Sequence, residues 1–65
     1  MPVVHIELWK GRTKEQKTKL IKNVTSAVVS SIGCPPDAVE VIITDVDKDN
    51  WGIGGEPASV KFPDK

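Results

Sequence analysis

The stretch TKEQKTKLIKNVTSAVVSSIGCPPDAVEVIITDV, residues 13–46, decides the fold, and its first half predicts one long helix. Thr13 and Gln16 have the spacing of a capping box, in which the hydroxyl and the amide each satisfy a free backbone donor. Gly33 is placed to end the helix in the left-handed conformation, and the two prolines that follow prevent its continuation. A helix of roughly five turns is therefore expected. Its apolar face, at helical spacing, consists of Leu20, Ile21, Val24, Ala27, Val28 and Ile32.

The second half of this stretch and the residues upstream of it both have strand patterns. Residues 39–46, VEVIITDV, are β-branched on both faces, which is typical of a strand buried on two sides. Residues 3–9, VVHIELW, alternate, so that Val4, Ile6 and Leu8 share one face. Strand, long helix and strand in this order predict an α/β (α+β) fold, a βαβ unit whose strands are parallel and joined by a right-handed crossover.

The remaining residues predict a hairpin and a short terminal strand. Residues 47–55, DKDNWGIGG, are rich in turn formers with apolar residues alternating among glycines, which favours a tight hairpin. In the tail, residues 56–65, Val60 and Phe62 lie between two prolines, and we predict a short edge strand there in an assembly. Because no linker, repeat or low-complexity run interrupts the chain, residues 1–65 are interpreted as a single domain.

The length of 65 residues makes self-association the expected source of stability. A chain of this size buries only about 60% of its unfolded surface, and small domains usually need a disulfide, a metal or a partner. Cys34 is the only cysteine, so no disulfide can form within the chain. Since one helix covers only one face of a two-stranded sheet, we expect the other, apolar face to pack against another copy of the chain.

Composition and charge disfavour several classes of function. Nine basic and nine acidic side chains cancel, so no general field attracts nucleic acid or an anionic membrane. Two tryptophans and one phenylalanine leave little for base stacking. No stretch approaches the roughly 20 apolar residues of a membrane span, and the N-terminus lacks a signal-peptide pattern. A reduced, cytoplasmic setting is the expected location.

Pro2 is the first candidate for chemistry. Initiator methionine is generally removed before a small second residue, and removal of Met1 makes the nitrogen of Pro2 a secondary amine. An α-amine titrates at roughly 7.7–8, and an apolar pocket or a nearby cation lowers that pKa further. Such a group suits a general base. The alternative interpretation is that Pro2 only begins the strand and promotes methionine removal.

Arg12 is the second candidate, because it lies in the loop between the first strand and the helix. A guanidinium beside the free N–H groups of a helix start can hold a carboxylate by paired hydrogen bonds. Arg12 is also the only arginine in the chain, which favours a role in recognising a planar anion. An exposed loop arginine without such a role is the alternative.

Four stretches together resemble the 4-oxalocrotonate tautomerase family. They are Pro2 opening a strand, GRTKEQK at 11–17, VEVIITDV at 39–46 and WGIGGEPAS at 51–59. The resemblance runs in order along nearly the whole chain. It implies a βαβ protomer that assembles as a homohexamer, a trimer of dimers, with a dimer as the smaller possibility. It also implies an isomerase that moves a proton in a 2-hydroxy-dienoate to give the unsaturated 2-oxo acid, without cofactor or metal.

The resemblance implies a role for each matching position. Pro2 is expected to remove and return the proton, and Arg12 to bind a substrate carboxylate. Trp51 matches an aromatic position that keeps the pocket apolar, and Trp9 matches an apolar residue at the pocket mouth. Glu40 departs from the family, whose diacid tautomerases have an arginine there. The departure opens three outcomes, namely a monoacid or phenylpyruvate-like enol as substrate, loss of efficient activity, or a non-catalytic oligomer in which Glu40 pairs with Arg12 of a neighbouring chain.

A calcium-binding loop at residues 45–56 is the alternative from a different class. Four carboxylates have the spacing of positions 1, 3, 5 and 12 of an EF-hand loop. However, Asn50 occupies the position that needs glycine, and a strand precedes the loop where a helix is required. His5 has no partner histidine, so a transition-metal site is not expected either. The four carboxylates are those of Asp45, Asp47, Asp49 and Glu56.

Overall fold

The elements of the chain follow one another as a βαβ unit and a C-terminal hairpin. A computed structural model describes residues 1–63. Among these residues, neither helix combines the length and the apolarity that a membrane crossing requires. The elements are β1 (Val3–Trp9), α1 (Lys14–Ile32), β2 (Glu40–Val46), β3 (Gly52–Ile53), β4 (Glu56–Pro57) and α2 (Ala58–Lys61), with short 3-10 turns at Pro36–Ala38 and Lys48–Asn50.

Helix α1 begins and ends at the residues that its sequence predicts. The backbone N–H of Gln16 donates to Oγ1 of Thr13 at 3.1 Å, and the N–H of Thr13 donates to Oε1 of Gln16 at 2.9 Å. These two bonds form the predicted capping box. At the other end Gly33 has φ 74°, and its N–H donates to the carbonyl of Val29 at 2.9 Å. The left-handed end is therefore confirmed.

The sheet consists of β1 and β2 in parallel, which confirms the predicted pairing. Its register runs from Val3 opposite Glu40 to Trp9 opposite Val46. Helix α1 lies on one face, where alternate residues of β1 are half-buried. An ion pair between Lys17 of α1 and Asp45 of β2 ties the helix to this face. The hydrogen bond from the N–H of Lys10 to the carbonyl of Val46, at 3.0 Å, extends the pairing past the strand end.

The face of the sheet that α1 leaves uncovered is partly apolar. Val3 is 57% exposed and Ile42 is 47% exposed on this face, which we call the uncovered face. The two-sided burial expected of β2 is therefore not reached within one chain. Among the described residues, Ala58 is the only hydrophobic residue that is fully buried. A chain that buries so few of its hydrophobic residues needs another protein surface to cover its exposed apolar side chains.

The C-terminal residues confirm one prediction and correct another. Strands β3 and β4 pair antiparallel, as predicted for the hairpin. The predicted edge strand around Val60 is wrong, because residues 58–61 form helix α2. Pro57 precedes α2 with φ −66°, and the N–H of Phe62 donates to the carbonyl of Ala58 at 2.7 Å. Two apolar residues spaced by two are too short a pattern to distinguish a strand from one helical turn. The last two residues of the predicted tail lie outside the described residues.

Candidate active site

Pro2 is held at the start of β1 by the neighbouring strand. Its carbonyl accepts a hydrogen bond from the N–H of Glu40 at 3.0 Å, one step before the strand register begins. Pro2 is half-buried, whereas Met1 before it is 85% exposed. The bond from β2 therefore holds the backbone of Pro2 against β2, while Met1 extends into solvent. Removal of Met1 converts the Pro2 nitrogen from an amide into a secondary amine at this fixed position.

Arg12 lies at the opposite end of β1, beside a cavity. Gly11 has φ 120°, a left-handed conformation that turns the chain directly before Arg12. The cavity has a volume of about 170 Å³. The cationic group of Lys17 in its wall is engaged by Asp45. An anion entering the cavity would therefore meet the exposed guanidinium of Arg12 and a lysine whose charge is already balanced. The lining residues are Leu8, Arg12, Gln16, Lys17 and Leu20.

An aromatic cluster occupies the same end of β1. The rings of Trp9 and Trp51 meet edge-on, with centroids 5.9 Å apart and planes at 80°. The ring centroid of Phe62 lies 5.6 Å from that of Trp9. Nζ of Lys48 lies 4.7 Å from the centroid of the Trp9 ring and donates to the carbonyl of Phe62 at 2.7 Å. The sequence pattern pointed to both tryptophans but not to Phe62 and Lys48. The folding back of α2 brings Phe62 to this cluster, and the turn after β2 brings Lys48.

The predicted site residues fall into two groups within one chain. Pro2 and Glu40 lie at the N-terminal ends of the parallel strands, whereas Trp9, Arg12 and Trp51 lie at the C-terminal end. A strand rises about 3.3 Å per residue, so β1 alone separates the two groups by roughly 20 Å. A small substrate cannot contact Pro2 and Arg12 of the same chain. One site that contains both residues requires two copies of the chain.

The indole of Trp9 supports the same conclusion. Its Nε1 is buried and has no hydrogen-bond acceptor among residues 1–63. Buried N–H groups in native proteins are almost always paired, because an unpaired one costs about 1–3 kcal/mol. An acceptor supplied by solvent or by a second copy of the chain would satisfy this N–H group.

The carboxylates of the predicted calcium loop do not converge. Asp45 pairs with Lys17 of α1. Oδ1 of Asp47 accepts from the N–H of Asp49 at 3.1 Å, and Oδ1 of Asp49 accepts from the hydroxyl of Ser59 at 2.5 Å. No three potential metal-ligating side chains cluster in the part of the chain that the structure describes. These residues instead cap a turn and fasten neighbouring elements.

The lone histidine bridges the two strands on the uncovered face. Nε2 of His5 lies 3.1 Å from Oγ1 of Thr44. This contact joins β1 to β2 by side chains in addition to their backbone pairing. This geometry gives His5 a structural role between the two strands. Cys34 is a free cysteine at the end of α1.

Comparisons with known proteins place the chain among small isomerases. A family model described as "Tautomerase enzyme" matches residues 2–61. A 2-hydroxymuconate tautomerase of Pseudomonas sp. (strain CF600) is 46% identical over 59 residues, which cover 91% of this chain and 94% of that protein. A 4-oxalocrotonate tautomerase isozyme from Methylibium petroleiphilum has a similar structure, with a TM-score of 0.89 and 46% identity, covering 94% of this chain and 98% of that one.

A further similar structure bears on assembly. A 4-oxalocrotonate tautomerase from Chloroflexus aurantiacus J-10-fl, described as a heterohexamer, aligns with a TM-score of 0.86 at 29% identity and covers 91% of this chain and 95% of that one. The uncovered face, the sparse core and the separation of Pro2 from Arg12 all agree with an oligomer. These features favour self-association of the chain.

Proposed function

Because this chain belongs to the tautomerase family and is a keto–enol tautomerase, we propose that the amine of Pro2 is its general base. After Met1 is removed, this amine takes the hydroxyl proton of a 2-hydroxy-dienoate or related enol acid and returns a proton to a carbon of the diene. The product is the unsaturated 2-oxo acid. The observation that supports the assignment is the 3.0 Å bond from the N–H of Glu40, which holds Pro2 in place at the strand start.

The amine of Pro2 suits this role because of its intrinsic pKa. An ordinary α-amine titrates at roughly 7.7–8, so a substantial fraction is uncharged near neutral pH. Placing it in an apolar pocket favours the uncharged form further, because burial penalises the ammonium. Apolar walls for such a pocket are available in Trp9 and Trp51 of a neighbouring copy. The reaction moves a proton and changes no oxidation state, so the proposal includes no cofactor or metal.

Arg12 is the proposed carboxylate-binding residue. Its guanidinium can donate two parallel hydrogen bonds to the substrate carboxylate. Those bonds strengthen as negative charge spreads over the conjugated dienolate, so they lower the energy of the transition state more than that of the ground state. Because Arg12 and Pro2 of one chain are roughly 20 Å apart, the arginine that serves a given Pro2 belongs to another copy.

The proposed assembly is a homohexamer of three dimers, with a dimer as the smaller alternative. Both supply the second copy that the site needs. The hexamer additionally offers cover for apolar side chains outside the sheet, such as Ile32 at 64% exposure and Val60 at 65% exposure. The proposed substrate is a small enol or 2-oxo acid.

The test compares the processed enzyme with variants that lack the secondary amine. Intact mass first establishes whether Met1 is gone. A form with one residue added before Pro2, and the variant Pro2→Ala, should both lose about 10²- to 10⁴-fold in kcat/KM, the usual contribution of a general base. Turnover is followed by the loss of enol absorbance. Ser26→Ala, on the exposed side of α1, serves as the control and should retain activity.

Two outcomes contradict the proposal. Unchanged turnover in both amine variants would remove Pro2 from the mechanism. Failure of the processed wild-type protein to tautomerise any 2-hydroxy-dienoate or phenylenolpyruvate would favour the non-catalytic oligomer, in which Glu40 and Arg12 pair between copies.

A further inference from the structure

The end of the sheet that holds Pro2 is acidic. Neither β1 nor β2 contains a lysine or an arginine. Glu40 is the strand residue bonded to Pro2, and Asp37 lies in the turn just before it. On the uncovered face the other titratable side chains are His5 and Glu7, further along β1. A substrate at Pro2 therefore meets negative charge from this chain.

The fold fixes the Cα of Glu40 next to Pro2. The backbone bond to Pro2 holds it from one side, and the N–H of Val39 donates to the carbonyl of Pro36 at 3.1 Å in the preceding turn. The side chain of Glu40 is exposed, and no ion pair within residues 1–63 engages its carboxylate. This charge is consequently available to act on whatever binds at Pro2.

We propose that Glu40 acts as a charge filter, which restricts this tautomerase to enol acids with a single carboxylate and an uncharged tail. The inference rests on the proposed role of Pro2. Arg12 receives the one carboxylate, and the tail extends past Pro2 towards Glu40. A second carboxylate on that tail meets the like charge of Glu40, and such a juxtaposition is unfavourable.

The same carboxylate also acts on the base. A negative charge beside an amine stabilises the ammonium form, so Glu40 raises the pKa of the Pro2 amine above the value it would have with a neutral side chain there. His5, Glu7 and Asp37 are unchanged in a Glu40 variant, so their contributions cancel in the comparison. A purely structural role for Glu40 would not move the pH profile.

The experiment measures kcat/KM for two substrates that differ by one carboxylate, a 2-hydroxydienoate monoacid and the diacid 2-hydroxymuconate. The processed wild-type oligomer should prefer the monoacid by about tenfold or more. For Glu40→Gln the ratio of kcat/KM for the monoacid to kcat/KM for the diacid should be close to one. The rising limb of its pH profile should move to lower pH. Glu40→Arg should reverse the preference. Glu7→Gln removes the same charge on the same face, about 13 Å along β1 from Val3, and should leave the ratio unchanged.

The outcomes separate this inference from the proposed function. If Pro2→Ala abolishes turnover but the ratio is the same in wild type and Glu40→Gln, the charge filter is wrong and the Pro2 mechanism stands. If Glu7→Gln changes the ratio as much as Glu40→Gln does, the preference arises from the overall negative charge of this face and not from Glu40 in particular. The charge filter is then wrong. If the processed wild type turns over neither substrate, the charge filter is wrong, and the Pro2 mechanism fails with it if phenylenolpyruvate is not turned over either. Glu40→Gln is nearly isosteric, so the test does not depend on whether Glu40→Arg folds.

Discussion

The indole rings of Trp9 and Trp51 meet edge-on, with centroids 5.9 Å apart and planes at 80°. This contact joins the last residue of β1 to the residue just before β3, 42 positions later in the chain. The N–H of Ala58 donates to the carbonyl of Trp51 at 2.6 Å, so α2 is fastened to the same point. The two tryptophans thus hold the hairpin and α2 against the end of the sheet.

Trp51→Ala should weaken both stability and catalysis. Edge-to-face aromatic contacts contribute about 0.5–1.5 kcal/mol of stability in addition to the burial of apolar area. Removing a half-buried indole also costs its lost burial and leaves a cavity that the surrounding residues fill only in part. We expect the free energy of unfolding to fall by about 2 kcal/mol for Trp51→Ala and by less than half of that for Trp51→Phe, which keeps an aromatic wall. Urea unfolding at one fixed protein concentration measures the difference. Equal losses in the two variants would contradict an aromatic role.

The βαβ unit could be predicted from the sequence because its signals are local. The capping box of Thr13 and Gln16 and the left-handed end at Gly33 depend on residues within one helical turn, and each has the predicted geometry. The parallel pairing of β1 with β2 follows from the length of the helix between them. By contrast, α2 is four residues long, and no local pattern of that length distinguishes a helix from a strand.

The sequence points to individual candidate residues but not to their arrangement. Pro2 and Arg12 differ by ten positions, which suggests proximity, yet the intervening strand places them at opposite ends of the sheet. The contact of Phe62 with Trp9 depends on the direction in which the tail folds back. Both features are set by tertiary and quaternary packing, about which a single sequence carries no local signal.

The pH dependence of kcat/KM should show a rising limb from the amine of Pro2. The base works only when uncharged, so activity is low below the pKa of the amine in the free enzyme and rises as pH increases through it. Because an ordinary α-amine titrates at roughly 7.7–8, we expect the limb between about pH 5 and 9. The measurement is a steady-state profile in constant-ionic-strength buffers. A profile that stays flat across this range in the processed enzyme would contradict a titrating amine base.

Gly11→Ala should weaken substrate binding through Arg12. Gly11 has φ 120°, which an alanine adopts only at a cost of about 1–3 kcal/mol. A Cβ at this position would meet nothing within 4 Å, so the effect is backbone strain that shifts the loop before Arg12. We expect KM to rise several-fold with a smaller change in kcat, measured by steady-state kinetics.

Gly33→Ala is the matched control for that prediction. Gly33 also has a positive φ, 74°, and a methyl group added there would likewise meet nothing within 4 Å. It ends α1 at a distance from Arg12 along the helix. Stability should therefore fall by about 1 kcal/mol while KM is unchanged. An identical rise of KM in both variants would show that general destabilisation, and not the Arg12 loop, is responsible.

Ile42→Glu should disrupt the assembly and, with it, the activity. Ile42 lies on the uncovered face and is 47% exposed in one chain. If this face packs against another copy, the substitution buries an unpaired charge there, which costs several kcal/mol. Sedimentation velocity should show smaller species, and turnover should fall because the proposed site combines Pro2 and Arg12 of different copies. Ser26→Glu adds the same charge on the exposed side of α1 and should leave both unchanged. An Ile42→Glu protein that remains fully associated and active would show that the uncovered face is not the interface.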